Sequence, residues 1–155
     1  MKILTALVTN HVLIATVSAW LIAQVVKMAI NAVKEKKISP SILFSDGGMP
    51  SAHSATVVTL AIMSGIVEGV GSTIFAVAAI LAMVVVNDAM GVRLEAEKHA
   101  ITIKELAKAN NDIASEENQV DVSEIKSNVG HTGIEVVAGV ITGIVTSILY
   151  ALIIL

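Results

Sequence analysis

Four blocks of apolar sequence, divided by short polar stretches, leave this chain few ways to fold. The first runs from about His11 to Val26 and continues as a helix toward Lys34. The others run from Pro50 to near Glu68, from Thr73 to Val86, and from Val136 to Leu155. A helix needs about 20 apolar residues to cross the roughly 30 Å hydrocarbon core of a bilayer, and its backbone groups must be paired within the segment. Hydrophobic residues make up 55% of the 155 and charged residues 15%, and the mean hydropathy is +0.82. Lipid accounts for such an excess. The expected fold is all-α: a polytopic membrane protein of about four transmembrane helices, with residues 1–155 as a single membrane domain. The apolar run after Lys2 lacks a small-residue cleavage site before Lys27, so it is expected to be a retained span.

The polar stretches between the blocks set the topology. Glu35 to Asp46, with Pro40, predicts a loop, and Gly69 to Ser72 a short turn. From Gly91 to Gly130 the chain is charged. Glu95 to Asn110 predicts a helix there, with Ile101, Ile103 and Leu106 on an imperfect apolar side. Asn110 to Val122 reads as a loop, and residues 94–128 form a helical polar insertion between the third and fourth spans. Four spans place both termini on one side. Of ten basic residues only Lys2 lies there, so the positive-inside rule predicts a cytoplasmic loop side and external termini, in the plasma membrane.

Composition also excludes chemistry. The chain has no cysteine, so it has no disulfide and no thiolate metal site. Its Asp and Glu do not cluster as an oxygen cage would require. One Trp, one Tyr and two Phe, with no basic patch among them, give no nucleic-acid surface.

What remains gathers at the loop side. Gly47-Gly48-Met49-Pro50-Ser51-Ala52-His53 stands at the mouth of the second block. A proline there suits the first turn of a helix, whose outward N–H groups favour an anion. The glycines allow close backbone approach, Ser51 adds a hydroxyl, and His53 can move a proton near neutral pH. Lys27 and Lys34, two turns apart, are expected to share one helix face. Either lysine alone would serve equally as an interfacial anchor. Arg93 follows the third span, where a headgroup-binding arginine is the plain alternative. Asp88 could pair with Arg93 or cap that span. His131-Thr132-Gly133-Ile134-Glu135 sets a carboxylate one turn after an imidazole, placed to orient the ring and raise its basicity. Gly139 and Gly143 are expected to serve helix packing.

In combination these residues resemble the phosphatidic acid phosphatase type 2 and vanadium haloperoxidase superfamily. The order is Lys27-x6-Lys34, Pro50-Ser51-Ala52-His53, Arg93, then His131-x3-Glu135-Val136-x2-Gly139-x3-Gly143. GGMPSAHSATV, DAMGVR and GHTGIEVVAG are similar to its small divergent branch, the acid phosphatase/haloperoxidase-related membrane proteins. Four departures stand out: Lys34-Glu35 in place of Arg-Pro, Ala52 for glycine, Glu135 for aspartate, and a long insertion between arginine and histidine. Arg93 and His99 keep the usual five-residue gap, but Ile103 holds the acidic position. His131 has the acid and both glycines, and is assigned the role.

The resemblance implies a phosphatase-type four-helix core and a metal-independent phosphohydrolase with no cofactor. In that reading His131 attacks phosphorus to form a phosphohistidine, oriented by Glu135, and His53 is the general acid and base. Lys27, Lys34, Ser51 and Arg93 hold the phosphoryl oxygens, with Asp88 in support. A site at the membrane face over apolar helices implies a lipid phosphate or polyprenyl mono- or diphosphate as substrate. The alternative is a non-catalytic lipid-phosphate binding protein, carrier or flippase. A haloperoxidase is disfavoured, since those relatives are large soluble proteins. A thin bundle with glycine faces also suggests a homodimer.

Overall fold

Each of the four apolar helices opens on a small polar residue, and these caps fix where the helices begin. The structure, a computed structural model, describes residues 2–36, 48–112, 120–123, 125 and 132–155. In chain order the elements are α1 (Lys2–Val8), α2 (His11–Glu35), α3 (Ala52–Glu68), α4 (Thr73–Met90), α5 (Val92–Asn111) and α6 (Gly133–Ile154). Asn10 Oδ1 accepts the N–H of Leu13 at 3.0 Å to start α2. Ser51 Oγ accepts that of Ser54 at 3.3 Å to start α3, and Ser72 Oγ that of Phe75 at 3.1 Å to start α4. Such caps satisfy N–H groups that the helix itself cannot pair.

Several boundaries differ from those read in the sequence. Pro50 is not the first helical residue: it precedes Ser51, whose extended backbone and hydroxyl form the cap. The third span runs past Asn87 and Asp88 to Met90, where Gly91 interrupts it. The helix after it starts at Val92 and not Glu95. The last helix begins three residues before Val136. A separate α1, fully exposed, precedes the first span. Among the described side chains of α5, Ala100 and Ala107 are buried, whereas Ile101, Ile103 and Leu106 are exposed. The small side chains, and not the large ones, face the protein there.

Among the described residues three helical runs are long and apolar enough to cross a membrane: His11–Lys34, Thr73–Asn111 and Gly133–Ile154. The fourth apolar helix, α3, has 17 residues, about 25 Å at 1.5 Å per residue. It is the inner helix, packed against α2, α4 and α6. The chain is thus an all-helical polytopic membrane protein.

The packing is by small residues. Ala15, Ala19 and Ala23 recur every fourth residue on α2, and none is exposed. On α6 the buried series is Gly139, Gly143, Ser147. Ile74, Val77, Ile80 and Val84 of α4 point outward, where lipid is the solvent. Hydrocarbon offers no hydrophobic drive for helices to associate, so close backbone approach and interhelical hydrogen bonds must do it. A Cβ at Gly143 would lie 2.7 Å from the Ala55 carbonyl oxygen, and Thr59 Oγ1 donates to the Gly143 carbonyl at 3.1 Å. At the far end, His11 Nδ1 and the Tyr150 hydroxyl lie 3.2 Å apart, which ties the start of α2 to the end of α6.

Candidate functional site

The antiparallel order brings the C-terminal ends of α2 and α4 and the N-terminal ends of α3 and α6 to one end of the bundle. There the Ser51 N–H donates to the Glu135 carbonyl at 2.9 Å. One backbone bond thus joins the residue that caps α3 to the first turn of α6, 84 positions away in sequence. Two segments that share no local sequence are locked in register. Gly139, one turn beyond Glu135 on α6, makes the approach possible. A Cβ there would run into the Ser51 carbonyl oxygen and lie 3.0 Å from Ser54 Cβ.

Ser51 is fully buried. Its hydroxyl oxygen accepts from the Ser54 N–H and from the Ser54 hydroxyl at 3.1 Å, so its structural task is to open α3. Glu135 is half-buried, and its Oε2 accepts from the Thr132 N–H at 3.1 Å. With threonine at the cap this is the carboxylate arm of a capping box. The same carboxylate also places negative charge at a helix N-terminus, which favours it. The His-x3-Glu spacing therefore carries a helix-starting role alongside any role in orienting an imidazole.

Lys27 lies beside this junction. It is 3% exposed, so protein surrounds its side chain. Gly48, at φ +99°, lies against the lysine stem: a Cβ added to it would be 3.5 Å from Lys27 Cδ. That backbone conformation favours glycine. Gly48 of the sequence motif thus covers a lysine at this position, while Gly47 lies outside the described residues. One turn deeper on the same face of α2, Gln24 is also buried. Sequence reasoning passed over it, although an amide inside the run Leu21–Val26 was the available signal.

The two lysines do not share an environment. Lys34, two turns beyond Lys27, is exposed near the end of α2. His53 lies in the first turn of α3 with its side chain exposed. Asp88 is half-buried in the last turn of α4. Arg93 is the second residue of α5; its side chain, and the whole of His131, lie outside the described residues. Among the described residues Ser51 and Glu135 meet in one junction, Lys27 lies under Gly48, and His53 and Asp88 stand at the same end of the bundle. On α5, Lys98 Nζ donates to Glu95 Oε1 at 2.6 Å, so those charges pair locally.

The family model described as the divergent PAP2 family matches residues 8–146. The chain is 36% identical over 155 residues to YuiD, an uncharacterized membrane protein of Bacillus subtilis (strain 168). That alignment covers 94% of this chain and 96% of the relative. No solved structure matches.

Proposed function

Because the chain belongs to the divergent PAP2 family, we propose that it hydrolyses a lipid phosphate or polyprenyl phosphate through a phosphohistidine. The observation that carries this reading is the Ser51–Glu135 backbone bond. It brings the Pro-Ser-Ala-His segment to the head of α6, at the end of the bundle where Lys27 is buried. Fixed cations and helix-start N–H groups are what a transferring phosphoryl group requires.

In the proposed reaction an imidazole nitrogen of His131 attacks phosphorus, and the bond to the lipid oxygen breaks. His53 gives its proton to that leaving oxygen. Glu135 stabilises the positive charge on His131. His53 then takes a proton from water, the water oxygen bonds to phosphorus, and the P–N bond breaks to release phosphate. Lys27, Ser51 and Arg93 hold the phosphoryl oxygens throughout, Lys34 contributes from the periphery, and Asp88 supports Arg93. The basic loop side supports a cytoplasmic site with external termini in the plasma membrane.

One observation favours a second reading, that of a lipid-phosphate binder or carrier without turnover: the Glu135 carboxylate already caps α6. The test is phosphate release from lipid phosphates by the purified protein in chelator, with acid-labile phosphohistidine trapped in parallel. Turnover that is lost in His131→Ala supports the enzyme. Tight binding with neither turnover nor a phosphohistidine supports the carrier.

A further inference from the structure

At the end of the bundle opposite the Ser51–Glu135 junction, the start of α2, the end of α3 and the start of α4 surround a cavity of about 540 Å³. We propose that this cavity binds the zwitterionic headgroup of an ethanolamine phospholipid, with its phosphate at the head of α2 and its ammonium at Glu68. The site is separate from the phosphate junction and does not depend on hydrolysis there.

The two walls of the cavity have opposite polarity. Every residue from Thr9 to Leu13 lines it. Successive residues of a helix point to all its sides, so the end of α2, and not one face, opens into the cavity. The first intrahelical bond runs from the Ile14 N–H to the Asn10 carbonyl at 3.0 Å, and Asn10 Oδ1 takes the Leu13 N–H. The N–H groups of His11 and Val12 remain for an anion, with the positive end of the helix dipole behind them. Across the cavity stands the last turn of α3, with Ser64, Val67 and Glu68. Helix-end carbonyls and the negative end of a dipole lie there. Among the described residues lining the cavity, Glu68 is the only carboxylate, and there is no lysine or arginine. An ethanolamine phosphate ester carries its anion and its cation on a short ethylene link, and so matches both walls at once.

The same chemistry separates this occupant from other bilayer lipids. A primary ammonium has three donors for a carboxylate and for helix-end carbonyls. A trimethylammonium has none and is bound by aromatic faces, which the described lining lacks. An anionic headgroup would face Glu68 with no cation to offer it. Ser64 marks the join to a site for the tail. It is fully buried, and its hydroxyl has no partner among the described residues. Such a hydroxyl is costly to leave unpaired, and a phosphate or ester oxygen there would pair it. Ser64, Leu60 and Ile74 line both the cavity and an adjoining groove of about 260 Å³ between α3 and α4. Beyond them the groove is walled by Val77, Ala78 and Leu81 of α4. It carries no charged residue, and Ile74 to Leu81 spans about 10 Å at 1.5 Å per residue. A headgroup with an attached hydrocarbon chain fills both spaces.

The test titrates the purified full chain in detergent with phosphatidylethanolamine, phosphatidylcholine and phosphatidylglycerol of equal chain length. Glycerophosphoethanolamine serves as the headgroup without tails, and native mass spectrometry counts what is bound. The expected result is a single phosphatidylethanolamine per chain, held about fivefold tighter than either other lipid, the size of one solvent-screened charge contact. Equal binding of the three lipids means ordinary boundary lipid and overturns the proposal. Glycerophosphoethanolamine bound as tightly as the lipid also overturns it, because the groove then contributes nothing. Glu68→Gln should abolish the preference, and Glu68→Lys should turn it toward phosphatidylglycerol. Glu68 is exposed, so both variants should fold. A preference for phosphatidylethanolamine that survives both substitutions overturns the assignment to this cavity. Val77→Trp, in the groove, should weaken the lipid and leave glycerophosphoethanolamine unchanged. Glu105→Gln, exposed on α5, should alter neither.

Discussion

Gly139 faces the carbonyl oxygen of Ser51 so closely that no methyl group fits between them. Gly139→Ala should therefore push α6 away from the start of α3. The expected loss is about 1–3 kcal/mol, the usual cost of overpacking. Gly133→Ala, with nothing within 4 Å, should be neutral or slightly stabilising. Thermal unfolding of the two variants in detergent measures the difference, and equal midpoints would contradict the packing described.

Ser51 separates a structural role from a chemical one. Ser51→Ala removes the cap of α3 and should cost about 1 kcal/mol with the fold intact. Ser51→Asp restores a capping oxygen but adds negative charge where a phosphate is proposed to sit. At this fully buried position a carboxylate is costly to desolvate, so its stability should not recover fully, and binding of inorganic phosphate should be lost. Paired melting and phosphate-binding measurements check this, and retained binding in the aspartate variant would remove Ser51 from the anion site.

The two lysines of α2 should behave differently. Lys27→Met keeps an aliphatic stem against Gly48 and deletes the charge. A hydrogen bond to a charged group contributes about 1.5–3 kcal/mol, so inorganic phosphate binding should weaken by roughly ten- to a hundredfold. Lys34→Ala, at an exposed position, should change it by less than about twofold, in line with the small worth of surface charges. Titration of the purified variants decides between them.

Orientation can be read directly because the chain contains no cysteine. Val70, 73% exposed in the turn between α3 and α4, and Lys36, exposed at the end of α2, lie at opposite ends of the bundle. Val70→Cys should react with an impermeant maleimide added to intact cells, and Lys36→Cys only after permeabilisation. The opposite pattern would put the site outside.

Much of this was legible in the sequence, for identifiable reasons. Apolar blocks announce membrane helices whatever their packing, and the Pro-Ser-Ala-His stretch marked the head of α3 to within two residues. Gly139 and Gly143 were read as packing positions, and they meet the Ser51 and Ala55 carbonyls. What the pattern could not convey was which side of a helix faces protein when lipid replaces water. Lys27 and Lys34 fall on one face by periodicity. Yet Lys27 lies under Gly48 and Lys34 lies beyond it, a distinction set by where α3 starts. On α5 the same difficulty hid Ala100 and Ala107 behind the larger Ile101 and Leu106. The Glu135 capping box was spelled out by Thr132-x2-Glu135, but the imidazole just before it drew the assignment elsewhere.

The buried lysine has a consequence for biogenesis. Lys27 is eight residues from the end of α2, about 12 Å along its axis, and an ammonium within an apolar helix is costly to place in lipid. While α2 is the only hydrophobic helix to have left the ribosome, nothing yet shields that ammonium. Arrival of the Gly48 segment and α3 covers it, so integration of the first span is completed by synthesis of the second. A nascent chain halted before residue 48 should slip from the bilayer more readily than one halted after residue 68.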